Sequence, residues 1–78
     1  MRVYVKIYDS VKYDVQSKCT ERVTYDILRF EVVQSEKLSE EFKESGIDKD
    51  PYDEYLILYL ENDERATYRN SYVDLFRD

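Results

Sequence analysis

Arg22-Val-Thr-Tyr-Asp-Ile-Leu-Arg-Phe-Glu-Val-Val33 is the stretch on which the fold turns. It is long for one β-strand, and its apolar phase changes part of the way along. Val23, Tyr25 and Ile27 share one face, and Leu28, Phe30 and Val32 then take over on the other. Period-two alternation marks strand structure. A flip between Ile27 and Leu28 requires either a β-bulge, which inserts one residue and restores the facing, or a strand that bends from one sheet into another. Both imply strong curvature.

The flanking segments extend the pattern. Arg2 to Tyr8 alternates Val3, Val5 and Ile7 against Tyr4, Lys6 and Tyr8, as a strand does. Asp9-Ser10 predicts a turn, and Val11, Tyr13 and Val15 predict a second short strand, with residues 17–21 as a polar loop. Tyr55-Leu-Ile-Leu-Tyr-Leu60 is apolar on both faces and predicts a central strand. Glu61 to Glu64 predicts a hairpin turn, with Asn62-Asp63 tolerating left-handed backbone. Arg65 to Arg69 is then the returning strand, Asn70 to Val73 a helical turn and Asp74 to Arg77 a short last strand.

One helix is expected, near residues 36–45. Ser35 suits its N-cap, Leu38 and Phe42 fall on one face, and Gly46 sits where the ending needs positive φ. Strands, one helix and a closing hairpin predict an α+β fold with a small, strongly bent antiparallel sheet, in one domain spanning 1–78. The tail Ala66 to Phe76, chiefly Ser71, Tyr72 and Val73, resembles the end of SH3-type barrels. That resemblance implies a partial barrel in shape and supplies no ligand.

Composition narrows function by exclusion. The chain has 78 residues, no histidine, one cysteine, one glycine and one proline. Histidine-based triads and imidazole zinc ligands are thereby absent. An internal disulfide and a glycine-rich phosphate loop are absent too. Leu, Ile, Val and Phe make up 21 of the 78 residues, above the roughly one-fifth floor for ordered chains. So short a domain buries only about 60% of its unfolded surface, and its core is thin. No secretory hydrophobic region is visible near the start, and no apolar run is long enough to span a bilayer. With a free Cys19, a cytoplasmic protein is expected.

The acidic excess is local. Residues 35–64 hold eleven acids and three bases, a net charge of −8, and the remainder holds seven acids and nine bases, or +2. Glu36, Glu40 and Glu44 form an i, i+4, i+8 row at roughly 6 Å spacing. Such a row is either a solvated helix face that keeps a small protein soluble or a set of carboxylates imitating a phosphate backbone. Asp48-Lys-Asp-Pro-Tyr-Asp-Glu54 opens like a calcium loop, but Asp53 and Tyr59 stand where glycine and glutamate are required. It is read as an acidic loop, with no metal and no cofactor. Tyrosines in the strand segments are expected as cross-strand partners, with Tyr52 and Tyr55 as anchors beside the carboxylates.

In size, acidity and tyrosine content, through Glu36, Glu40, Glu41, Glu44, Asp48, Asp50, Asp53 and Glu54, the chain resembles small phage or prophage proteins, including anti-CRISPR and other DNA-mimic inhibitors. The resemblance implies a non-enzymatic binding protein that occupies a basic, nucleic-acid-binding surface of a protein partner, without itself binding nucleic acid or membrane. The competing expectations are a homodimeric structural or adaptor module, and an SH3-like module that reads peptides or nucleic acid.

Overall fold

The computed structural model describes residues 1–34 and 54–78. These residues form two three-stranded antiparallel sheets. Sheet A has the order β2-β1-β6, built from β1 Arg2–Tyr8, β2 Cys19–Asp26 and β6 Val73–Arg77. Sheet B has the order β3-β4-β5, built from β3 Arg29–Gln34, β4 Glu54–Tyr59 and β5 Arg65–Arg69. Two 3-10 turns, Glu61–Asp63 and Asn70–Tyr72, are the helical elements among the described residues. The expected α+β class is thereby corrected: the described chain is nearly all β, and the helix expected near 36–45 lies outside the described residues. Among the described residues no helix is long and apolar enough to cross a membrane.

The phase flip marks the passage between sheets. β2 pairs with β1 as far as Asp26, β3 pairs with β4 from Arg29, and only Ile27 and Leu28 lie between them. Backbone groups at this step must find partners, since unpaired buried ones are costly. The Met1 ammonium donates to the Ile27 carbonyl at 2.9 Å, and the Ile27 amide donates back to the Met1 carbonyl at 2.8 Å. The Leu28 amide donates to the Tyr59 carbonyl at 2.8 Å and so joins the next sheet.

Val3, Val5, Ile27, Leu56, Leu58 and Val73 form the core between the sheets. The alternation of β1 explains its share: Val3 and Val5 point inward while Arg2, Tyr4 and Lys6 face out. β4 is the central strand of sheet B, buried on both faces as its apolar run predicts. Leu56 and Leu58 face the core, and Tyr55 and Ile57 form a second cluster with Val33 and Tyr59 on the opposite face. On β3, Phe30 and Val32 stand opposite Leu58 and Leu56, on the core side. They belong to an edge strand, however, and remain 43% and 46% exposed.

Two other expectations are corrected. Val11, Tyr13 and Val15 alternate, yet no strand faces them, and Val15 is 99% exposed. Their backbone turns locally instead. The Asp14 carboxylate accepts from the Gln16 amide at 3.0 Å, and the Ser17 amide donates to the Asp14 carbonyl at 3.0 Å. Such side-chain bonding competes with a ladder. The loop is anchored by Lys12, whose amide reaches the Ser71 carbonyl at 2.8 Å and whose Nζ reaches the Val73 carbonyl at 2.8 Å. β2 also begins earlier than expected, at Cys19, where the register shifts between Ile7 and Tyr8 and leaves Thr20 as the extra residue.

The hairpin turn is as its residues predict, with Asn62 at φ 61°, ψ 32° and Asp63 at φ 61°. Left-handed backbone costs a β-branched residue about 1–2 kcal/mol. Asn62→Val is therefore expected to lower stability by about that amount, and Asn62→Gly to leave it nearly unchanged. Leu58→Ala, at a fully buried core position, should cost about 2–5 kcal/mol. Urea unfolding monitored by tyrosine fluorescence measures all three.

Candidate functional site

Eight of the residues expected to bind a partner, Glu36, Glu40, Glu41, Glu44, Asp48, Asp50, Tyr52 and Asp53, lie outside the described residues. Glu54 opens β4, is exposed and accepts a hydrogen bond from Asn70 Nδ2 at 3.4 Å. Tyr55 is fully buried in the second apolar cluster, so its ring packs inside and is not a surface anchor.

The described residues place other carboxylates around one cleft. A cleft of about 570 Å³ opens where the sheet passage meets the β4–β5 hairpin. Met1, Ile27, Leu28 and Leu60 supply its apolar lining, and Asp26, Glu61 and Glu64 its carboxylates. No Lys or Arg side chain lines it. The hairpin end is held by the Leu60 amide donating to the Glu64 carbonyl at 2.8 Å and the Glu64 amide donating to the Glu61 carbonyl at 3.3 Å. The ion pairs among the described residues, Arg2–Asp78, Lys12–Asp74 and Arg29–Glu31, leave Asp26, Glu61 and Glu64 out. The positive group closest to them in the lining is the Met1 ammonium, already bonded to Ile27. Carboxylates beside apolar side chains suit the two halves of a lysine or arginine side chain, a cationic head and an aliphatic stem. No group of three His, Cys, Asp or Glu residues among the described residues is placed to hold a metal ion.

Several of the bases are held elsewhere, against aromatic rings. On the outer face of sheet A, Arg22 lies 3.7 Å from the Tyr4 ring centroid, Tyr4 stacks on Phe76 at 5.0 Å, and Lys6 sits 5.3 Å from Phe76. On sheet B, Arg29 lies 3.8 Å from Tyr59, with Arg65 at 5.7 Å on the same ring. Such contacts are worth about 0.5–1 kcal/mol each at exposed sites, and here they staple neighbouring strands. Tyr4, Tyr8, Tyr25 and Tyr59 are half-buried strand residues, as expected, whereas Tyr13 is 77% exposed. Cys19 is exposed, its thiol 3.4 Å from the Glu21 carbonyl.

Glu61 and Glu64 belong to the acidic section 35–64, whereas Asp26, Met1 and Leu28 carry no signal of a site in the sequence. No local pattern would have found these three. The cleft joins the chain start to residues 24–28 and 60–64, and only the fold makes them neighbours. No family model matches the chain, and no curated protein or solved structure is significantly similar to it.

Three tyrosine hydroxyls hold their protons above the usual range. Tyr8 donates to the Asp74 carboxylate at 3.0 Å, and this bond, with desolvation, raises its pKa. Tyr59 is raised by its hydrogen bond to Glu31. Tyr68 is raised first by burial, then by its contact with the Tyr25 hydroxyl. A folded-state pKa above the unfolded value stabilises below the unfolded pKa, and that contribution is lost as pH rises through the folded one. Stability is therefore expected to hold to about pH 10, the ordinary tyrosine pKa, and to fall beyond it. Tyr68→Phe should flatten that fall. Urea midpoints measured from pH 8 to 12 check both, and a midpoint unchanged up to pH 12 would contradict the assignment.

Proposed function

We propose that this chain is a non-enzymatic binding protein that presents carboxylates to a basic surface on a protein partner, of the kind that otherwise receives a nucleic-acid backbone. The cleft carries this reading: Asp26, Glu61 and Glu64 line it beside Met1, Leu28 and Leu60, with no lysine or arginine side chain in the lining. It lies at one end of the section 35–64, whose net charge is −8. A field of one sign steers an oppositely charged partner during encounter. The cleft then takes a basic side chain at short range, where desolvated charge pairs set specificity. Bound this way, the protein would occlude the partner's nucleic-acid site.

An arginine-rich peptide is a suitable probe, with affinity read by fluorescence anisotropy. Affinity is expected to drop by roughly tenfold or more between 50 and 200 mM salt. Glu61→Lys should weaken binding by about tenfold, the worth of one close charge pair. Glu21→Lys, the same charge change at an exposed position on β2, should weaken it much less. Equal losses for the two variants would reduce the effect to net charge and remove the cleft from the proposal. Tighter binding of single-stranded oligonucleotide than of peptide would overturn the reading.

A further inference from the structure

We propose that β3 is the contact edge of a two-fold homodimer, in which sheet B continues from one copy to the next through an antiparallel β3–β3 pair centred on Phe30. β3 is a terminal strand of sheet B among the described residues, with β4 on one side and none of the described strands on the other. With the preceding Leu28 it exposes an apolar row at the sheet edge: Leu28 is 67%, Phe30 43% and Val32 46% exposed. Its other face offers Arg29 and Glu31, with side chains 62% and 41% exposed. An exposed strand edge with apolar side chains is a template for pairing with another chain.

Charge and apolar matching identify the occupant as a second copy. An antiparallel pair centred on Phe30 sets Phe30 opposite its own copy and Leu28 opposite Val32. It also sets Arg29 opposite Glu31. Two-fold symmetry makes each of the last two contacts twice. Apolar residues thus meet apolar residues and each cation meets an anion, the pairings that stabilise a ladder. Neighbouring registers fail. A shift of one residue places Phe30 opposite Arg29 or Glu31. A shift of two places Arg29 opposite Arg29 or Glu31 opposite Glu31, and like charges directly opposite are destabilising. The strand is therefore complementary to itself in one register and mismatched in those beside it. This inference does not depend on the cleft or on a basic partner.

Sedimentation equilibrium on the full chain tests it. The wild-type mass should rise from one chain to two with concentration. Arg29→Glu sets carboxylates opposite each other and Glu31→Arg sets guanidinium groups opposite each other, so each variant alone should dissociate roughly tenfold or more readily. Mixed in equal amounts, the two variants should form a heterodimer, because every pair is again opposite in charge. The double variant Arg29→Glu/Glu31→Arg should self-associate as the wild type does. Restoration on mixing separates the interface from any change within one chain, where Arg29 and Glu31 also meet at 3.6 Å. Should a single variant fail to fold, Phe30→Lys, read by the same method, provides the independent loss of association. A wild-type chain that stays monomeric across the concentration range overturns the proposal. So does a dimer indifferent to these substitutions, or a mixture that fails to associate.

Discussion

The passage of the chain from one sheet to the other through Ile27 and Leu28 is the constraint on which the rest of this structure depends. Two residues cross from the β1–β2 ladder to the β3–β4 ladder. The crossing is closed by hydrogen bonds on both sides, Met1 with Ile27 in sheet A and Leu28 with Tyr59 in sheet B. Ile27 fills the core at this point, 2% exposed. Leu28 cannot, because the turn that buries one directs the other outward. The cleft and the open edge of sheet B both follow from that single step. Leu28 lines the first and begins the exposed row of the second.

The core that this crossing encloses is small. Among the described residues, six form its main cluster and two more the cluster on the far face of sheet B. A chain of this length cannot gain much from aliphatic burial alone. Tyrosine and arginine make up part of the difference across the strands. Arg22, Tyr4, Phe76 and Lys6 join all three strands of sheet A on its outer face, and Tyr25 meets Tyr68 between the sheets. The charge distribution is a consequence. Cations that lie on rings are not available to line the cleft, and no lysine or arginine stands in its lining.

Much of the strand framework was legible in the sequence, and the reason is local. Val3 to Ile7, the apolar run at 55–60, the Asn62-Asp63 turn and the phase flip at Ile27–Leu28 each state a backbone geometry in a few adjacent residues. Val11, Tyr13 and Val15 state the same alternation without a strand to face, and the structure makes them a loop pinned by Lys12. Alternation reports what a strand needs, not whether a partner exists. The α+β expectation rested on residues 36–45, outside the described chain, and what is described is two β-sheets. Of the expected site, Glu54 is on the surface and Tyr55 is not, since an apolar run that is central to a sheet buries its tyrosine as readily as its leucines.

The net charge of −6 bears on where copies of this chain meet, if they meet at β3. Like net charge repels at long range and is screened beyond about 10 Å at ordinary salt. Any self-contact must then sit where charge is balanced locally. The outward face of β3 carries one cation and one anion two residues apart, and its core-side row carries none. That spacing is what a two-fold axis at Phe30 requires, because reversal of the strand exchanges the two positions. The acidic section, by contrast, has no internal complement of comparable charge and repels its own copy. The charge pattern of β3 is thus complementary to itself, whereas that of the section 35–64 is not.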